Sequence, residues 1–230
     1  MRKLWSASKS EIANSNLANY EGFISQKYNQ KFKKNYKNLL SWSIKNSAKF
    51  WESIWDYSNV KGVKGAINLK KSKTFYKNHF LSDYKLNFAE NLLSKSDNSK
   101  AITFVSENGY KEKRSWKELN INSNKIISFL KSNKIKSGDR VAAYLPNIIE
   151  TVEYFIGTSA IGAIWSSCSP DFGVKGVIER FAQIKPRILV ITDRYYYNGK
   201  EINVIERLPE IVKKIKSIKK VVVLSYPGKK

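Results

Sequence analysis

The feature of this sequence that most constrains its fold is a series of short, mostly apolar segments in its second half. These segments are separated by stretches in which apolar residues recur at helical spacing, and they cover residues 141–145, 163–168, 188–191 and 221–224. Strands buried on both faces are largely apolar throughout, and strands that alternate with helices belong to parallel sheets. The sequence therefore predicts an α/β fold with a doubly wound parallel sheet and flanking helices.

A β-hairpin and a capped helix are predicted just before this section. Residues 101–114 contain two strand-like segments on either side of Asn108 and Gly109. An Asn-Gly pair between two such segments is the strongest short signal for a hairpin turn. Ser115 and Glu118 have the spacing of a capping box, in which the hydroxyl and the carboxylate each accept a hydrogen bond from a backbone N–H at the start of a helix.

The helix after the first apolar strand carries several local signals. Asn147 and Glu150 again have capping-box spacing, and Gly162 is well placed to end the helix in the left-handed conformation. Gly157 inside the helix costs about 1 kcal/mol relative to Ala, which indicates close packing against a neighbour. The pattern continues with a helix over 174–184, a turn over 195–199 and a helix from about residue 208.

Residues 1–95 are predicted to form a helical N-terminal arm, and residues 96–230 the α/β domain. Within the arm, residues 36–57 carry large apolar side chains at near-helical spacing, which predicts one or two amphipathic helices. A further short helix is predicted within residues 84–93. Residues 1–35 are polar, rich in Asn and Lys, and only weakly periodic, and no individual helix is assigned within them.

The formal net charge of +23, from 42 Lys and Arg against 19 Asp and Glu, raises the possibility of nucleic-acid or anionic-membrane binding. Arginine, which base and phosphate recognition favour, is scarce, however. The lysines are spread along the whole chain, with small clusters at 31–37 and 213–220. We therefore favour a biased composition as the origin of the charge. A stand-alone basic nucleic-acid-binding module remains the second hypothesis.

Several other classes of protein are excluded or disfavoured by the motifs. The sequence contains neither a G-x-G-x-x-G fingerprint nor a Walker P-loop. One histidine, His79, and one cysteine, Cys168, are too few for a Cys/His zinc site or an internal disulfide. The N-terminus lacks the apolar segment of a signal peptide, and residues 154–165 are too short to cross a bilayer. A soluble cytoplasmic protein without membrane association is expected.

Segments in the same order along the chain resemble AMP-forming acyl-CoA synthetases of the adenylate-forming superfamily. They cover residues 42–43, 50–57, 86–93, 138–147 and 161–163. Residues 166–173, with the sequence SSCSPDFG, resemble the acetoacetate–CoA ligase branch; acetyl-CoA synthetases instead carry a Gly-Gly-Phe-Ser type loop. The chain thus resembles the N-terminal portion of an acetoacetate–CoA ligase. A fragment of an acetyl-CoA or other short-chain acyl-CoA synthetase is the alternative within the family.

The resemblance implies a ligase that converts ATP, acetoacetate and CoA to AMP, pyrophosphate and acetoacetyl-CoA with the help of Mg²⁺. The family places its phosphate loop, adenine-binding motif, ribose-binding Asp and catalytic Lys beyond residue 230, and this chain contains no such phosphate loop. No catalytic residue is therefore expected here, and the chain alone should not form the acyl-adenylate. The expected partners are the C-terminal part of the enzyme, acetoacetate and CoA, with no specific nucleic acid.

The resemblance also implies part of a CoA site. In acetyl-CoA synthetases the Gly-Gly-Phe loop and two basic residues after the next strand contact the CoA nucleotide. The matching positions are Pro170 and Asp171 for the loop, and Tyr197 and Lys200 for the basic pair. Lys200 keeps a cation that can meet a phosphate, whereas the other three depart from the pattern. The alternative is that Lys200 is one more solvated lysine.

Overall fold

A computed structural model describes residues 4–32 and 35–228, and the chain divides into two units, Met1–Leu86 and Asn87–Lys230. The N-terminal residues 1–3, part of the stretch tested for a signal peptide, lie outside the described residues. So do residues 33–34 of the predicted lysine cluster.

The first unit begins with four helices. They are α1 (Lys9–Ala13), α2 (Asn16–Tyr28), α3 (Tyr36–Lys45) and α4 (Ser47–Tyr57). The prediction of one or two amphipathic helices within 36–57 is confirmed, with two helices, α3 and α4, in this range. The sequence did not predict α1 and α2, since their apolar pattern is weak; their starts are capped by the hydroxyls of Ser8 and Ser15. Buried Tyr20 and Ile24 anchor α2 against Trp42 of α3.

Four two-residue strands follow in the same unit. They are β1 (Gly62–Val63), β2 (Leu69–Lys70), β3 (His79–Phe80) and β4 (Lys85–Leu86). They pair antiparallel as β1 with β4 and β2 with β3. Two of these short strands, β1 and β2, lie within residues 61–73.

The second unit contains a hairpin, a parallel sheet and the helices that cover it. Its elements are α5 (Phe88–Leu92), β5 (Lys100–Val105), β6 (Lys111–Ser115), α6 (Trp116–Ser132), β7 (Arg140–Tyr144), α7 (Ile149–Ala160), β8 (Ile164–Cys168), α8 (Val174–Ile184), β9 (Ile188–Thr192), β10 (Arg194–Tyr197), β11 (Lys200–Asn203), α9 (Leu208–Lys214) and β12 (Lys220–Leu224). The four strands predicted from their apolar character are confirmed as β7, β8, β9 and β12.

These four strands form one parallel sheet in the order β12-β9-β7-β8. The central strand β7 is bonded to β8 on one side and to β9 on the other, so that Ala142 lies opposite both Ser166 and Leu189. Strand β12 extends the sheet in register with β9. The side-by-side arrangement expected for the first three strands is therefore confirmed.

Both faces of the sheet are covered by helices. Ala142 and Tyr144 of β7 point into the core formed with α8 and α9. The alternate residues Val141 and Ala143 point into the core formed with α6. Burial on both faces explains why β7 and β9 are almost entirely apolar, and the helices on the two faces of the parallel sheet confirm the predicted doubly wound α/β class.

The local signals in this unit were mostly correct. Strands β5 and β6 form the predicted antiparallel hairpin, with Gly109 at a positive φ of 83° in its turn. The capping box of α6 is formed by both of its predicted residues, Ser115 and Glu118. The predicted turn over 195–199 is confirmed only at residues 198–199, because Tyr195–Tyr197 belong to β10 and pair with β11 in a second hairpin.

The predicted cap of α7 is wrong. The helix starts at Ile149, and the residue at its N-cap is Ile148, which provides no side-chain hydrogen bond. The carbonyl of Pro146 instead accepts hydrogen bonds from the Ile148 N–H at 2.9 Å and from the Thr151 hydroxyl at 2.7 Å. These bonds tighten the turn after β7 and shift the start of the helix beyond Asn147.

Candidate functional site

A cavity of about 270 Å³ lies at the carboxyl ends of the parallel strands β7 and β8. The connections of β7 and β9 lead to opposite sides of the sheet, so the strand order reverses between these two neighbours. Open α/β sheets bind their ligands at this kind of position. The cavity is lined by Leu145, Pro146, Asn147, Thr151, Ser167, Cys168, Ser169, Pro170, Asp171, Tyr195 and Tyr197.

The loop of residues 169–173, which joins β8 to α8, forms one wall of the cavity. Its turn is closed by a hydrogen bond from the Phe172 N–H to the Ser169 carbonyl, 3.2 Å long. The Ser169 hydroxyl donates a hydrogen bond to the Asp171 carboxylate, 2.7 Å long. The same hydroxyl accepts a hydrogen bond from the backbone N–H of Asp171, 3.3 Å long. Pro170 is buried, and Asp171 is exposed. This 169–173 loop therefore presents a carboxylate at the cavity.

Two side chains behind the loop hold its carbonyl groups. The hydroxyl of Tyr144, which is fully buried, lies 3.1 Å from the carbonyl oxygen of Pro170 and 2.5 Å from that of Phe172. Nη1 of Arg207 lies 2.7 Å and 3.3 Å from the same two oxygens and also donates to the Tyr144 hydroxyl. Sequence reasoning missed both residues. The available signals were a hydroxyl in an otherwise apolar strand and one of the few arginines.

Two further groups at the cavity are held in their neutral form. Two effects raise the pKa of Tyr195 to about 12: burial, which is the larger, and a hydrogen bond to the Asp171 carboxylate. Burial also raises the pKa of the Cys168 thiol. A thiol that stays protonated is a poor nucleophile, in agreement with the interpretation of Cys168 as a small core residue.

The structure brings three of the four predicted CoA-site residues together. Pro170, Asp171 and Tyr197 all line the cavity. Lys200 is not among the lining residues, but it is exposed and lies directly opposite Tyr197 across the β10–β11 hairpin. The lining residues include no Lys or Arg, so the cavity offers hydroxyl, amide, aromatic and carboxylate groups and leaves Lys200 as a cation near its rim.

Residues 4–32 and 35–228 contain neither a metal-ligand cluster nor a membrane-spanning helix. No group of three or more His, Cys, Asp or Glu side chains there is arranged to hold a metal ion. None of the helices in this part of the chain combines the length and apolar character needed to cross a membrane.

A doubly wound parallel sheet with a cavity at its carboxyl edge is an arrangement shared by many domains that bind nucleotides and other small ligands. The family model for AMP-binding enzymes matches residues 90–229, and the chain belongs to this family.

Three individual proteins that resemble the chain are acetoacetyl-CoA synthetases. The chain is 33% identical to the acetoacetyl-coenzyme A synthetase of Rhizobium meliloti (strain 1021) over 99% of its length, and 39% identical to the acetoacetyl-CoA synthetase of Gallus gallus over 84%. Among solved structures, the acetoacetyl-CoA synthetase from Streptomyces lividans matches the whole chain with a TM-score of 0.92 and 26% identity. The chain spans about a third of the length of these proteins: 34%, 29% and 36%, respectively.

Proposed function

We propose that this chain is the N-terminal portion of an acetoacetate–CoA ligase, which joins acetoacetate to CoA at the expense of ATP, with release of AMP and pyrophosphate. The observation that carries the proposal is the 33% identity to an acetoacetyl-coenzyme A synthetase along nearly the entire chain. The alternative, a fragment of another short-chain acyl-CoA synthetase, has weaker support, since the malonamoyl-CoA synthetase vrtB of Penicillium aethiopicum is 31% identical over 86% of the chain.

In this proposal the chain contributes a scaffold and part of the CoA site, and the rest of the enzyme contributes the ATP-handling groups. ATP and Mg²⁺ would be bound by that remaining part, which would be the chain's main partner. Residues 1–95 would be the N-terminal arm and residues 96–230 the first part of the AMP-binding domain. Acetoacetate and CoA would be the small-molecule substrates, with no membrane or specific nucleic acid involved, in the cytoplasm.

The lining of the cavity fits the uncharged portion of a CoA nucleotide. The ring of Tyr197, 58% exposed, offers a face for stacking of a planar heterocycle, and the Asp171 carboxylate can accept hydrogen bonds from hydroxyl or amino groups. Phosphates require cations or N–H donors, and the cavity lining lacks cationic side chains. Lys200, opposite Tyr197, is the cation we assign to a CoA phosphate.

Calorimetric titration of CoA into the 230-residue chain tests this assignment. We expect Lys200→Gln to weaken CoA binding by about threefold to tenfold, since a single exposed charge contact contributes about 1 kcal/mol. Lys216→Gln is the matched control. Lys216 is also exposed, and it precedes the amino end of β12, whereas the cavity lies at the carboxyl ends of the strands. Equal affinity of Lys200→Gln and the unmodified chain would refute the role of Lys200.

A further inference from the structure

The position of the 169–173 loop depends on contacts with residues distant in the sequence. Tyr144 stands at the end of β7, and Arg207 precedes α9, yet both reach the carbonyl oxygens of Pro170 and Phe172. Arg207 and Tyr144 also bond to each other. The loop is therefore tied to the central strand of the sheet and to the segment that enters α9.

These contacts come from residues that do not themselves line the cavity. Neither Tyr144 nor Arg207 is among the residues that line the cavity, whereas Pro170 and Asp171 are. The Nη1 group of Arg207 is directed at two backbone carbonyls and a phenol, so its charge acts on the protein itself. Hydrogen bonds from charged donors are stronger than neutral ones, which suits a residue that fixes a backbone conformation.

A second arginine, Arg180, contacts the same loop near its C-terminal end. The guanidinium of Arg180, on α8, lies 4.0 Å from the ring centroid of Phe172 and donates to the Gly176 carbonyl at 3.0 Å. Phe172 is thereby held through its ring as well as through its carbonyl oxygen. The loop contains only five residues, so fixing Pro170 and Phe172 also fixes Asp171, which stands between them.

We infer that Arg207 and Tyr144 are positioning residues that hold the 169–173 loop with Pro170 and Asp171 toward the cavity, and so set the affinity of this edge of the sheet for CoA. The link to CoA rests on the function proposed above; the effect on the loop does not.

The test combines hydrogen–deuterium exchange of the loop with CoA titration, both on the 230-residue chain. Arg207→Gln removes the charged donor, and Tyr144→Phe removes only the hydroxyl while keeping the buried ring. We expect both variants to accelerate exchange in peptides that span residues 169–173 and to weaken CoA binding, by about tenfold for Arg207→Gln and less for Tyr144→Phe. The smaller change in Tyr144→Phe keeps the test valid if Arg207→Gln folds poorly.

Arg187→Gln provides the matched control. Arg187 also donates to a carboxylate, that of Asp139 at 2.9 Å, and to a backbone carbonyl, that of Lys134 at 3.3 Å, but it lies next to the amino end of β9. This variant should lower the thermal midpoint and leave both the loop exchange and the CoA affinity unchanged. A purely structural role of Arg207 would give the same result as this control.

The two claims fail in distinguishable ways. Unchanged loop exchange in Arg207→Gln and Tyr144→Phe would overturn the inference, as would faster exchange without loss of CoA affinity. Failure of the unmodified chain to bind CoA would count against the proposed CoA site, and loop exchange alone would then decide whether the two residues position the loop.

Discussion

Tyr195 is the residue whose titration reports most directly on the cavity. Its pKa is raised to about 12 by burial and by the Asp171 carboxylate, against about 10 for an unfolded tyrosine. The fold thus favours the protonated phenol. Its contribution to the free energy of unfolding is fully present below pH 10 and is lost as the pH rises toward 12.

Tyr195→Phe should therefore reduce the loss of stability between pH 10 and pH 12, by about 1–2 kcal/mol. The measurement is denaturant unfolding at a series of pH values, compared between the variant and the unmodified chain. Asp171→Asn should fall between the two, because it removes the carboxylate and leaves the burial. Identical alkaline losses in all three proteins would show that Tyr195 is not held neutral by its surroundings.

A second prediction for a single residue concerns the packing around Gly157. A Cβ at this position would lie 2.7 Å from Cγ2 of Ile126 and 3.3 Å from the carbonyl oxygen of Ser123, both on α6. Overpacking costs about 1–3 kcal/mol, and the gain in helix propensity is about 1 kcal/mol. We expect Gly157→Ala to lower the free energy of unfolding by about 1 kcal/mol in denaturant titrations.

Gly22 is the matched control for that substitution. It lies inside α2, and a Cβ there would meet no atom within 4 Å. Gly22→Ala should therefore raise stability by up to about 1 kcal/mol through helix propensity alone. If both variants were stabilised, the close contact between α6 and α7 would be absent in solution.

Individual residues were predictable where a motif or a spacing identified them. Pro170, Asp171 and Tyr197 were predicted as CoA-site residues through a resemblance in sequence; all three line one cavity, and their contact with CoA stays a prediction. Tyr144 and Arg207 were not predictable, because they act on backbone carbonyls 26–37 residues away in the chain. Such contacts leave no periodic pattern, since any residue type supplies the acceptor.

At the scale of elements, the start of α6 carries the clearest energetic prediction. The Ser115 hydroxyl accepts from the Glu118 N–H at 3.2 Å, and the Glu118 carboxylate accepts from the Ser115 N–H at 2.8 Å. Removal of an N-cap side chain typically costs about 1 kcal/mol. Ser115→Ala should lower the free energy of unfolding by about that amount, as measured by denaturant titration.

Ser128 supplies the comparison for Ser115. It lies on the exposed face of the same helix, where its hydroxyl donates only to the Asn124 carbonyl, at 3.0 Å. Ser128→Ala should change stability by less than about 0.5 kcal/mol. Equal effects of the two substitutions would mean that the capping box does not stabilise α6.

Whether a helix or strand could be predicted depended largely on how much of it is buried. Strands β7 and β9 are buried along almost their whole length, so their apolar composition identified them. Helices α1 and α2 were not predicted, since only Tyr20 and Ile24 of α2 are buried and α1 buries none of its residues. The start of α7 was misplaced because backbone bonds to Pro146, rather than the side chain of Asn147, organise that turn.

For the whole molecule, the sequence predicted that the strands exist but not the order in which they pair. Alternation of strands and helices predicted a parallel sheet, and the strand order β12-β9-β7-β8 came only from the structure. This order puts the reversal point between β7 and β9, and the cavity lies at the same carboxyl edge, lined by residues at the ends of β7 and β8 and by two residues of β10. The chain spans about a third of the relatives it matches, so activity of the whole enzyme has to be tested with the other two thirds supplied.

The most direct test of the central claim is a chimera in which this chain replaces the corresponding third of the acetoacetyl-CoA synthetase from Streptomyces lividans. Acetoacetate-dependent ATP–pyrophosphate exchange and acetoacetyl-CoA formation would be measured for the chimera and for the 230-residue chain alone. We predict both activities in the chimera and neither in the chain alone. A folded chimera without exchange, or robust exchange by the chain alone, would contradict this account.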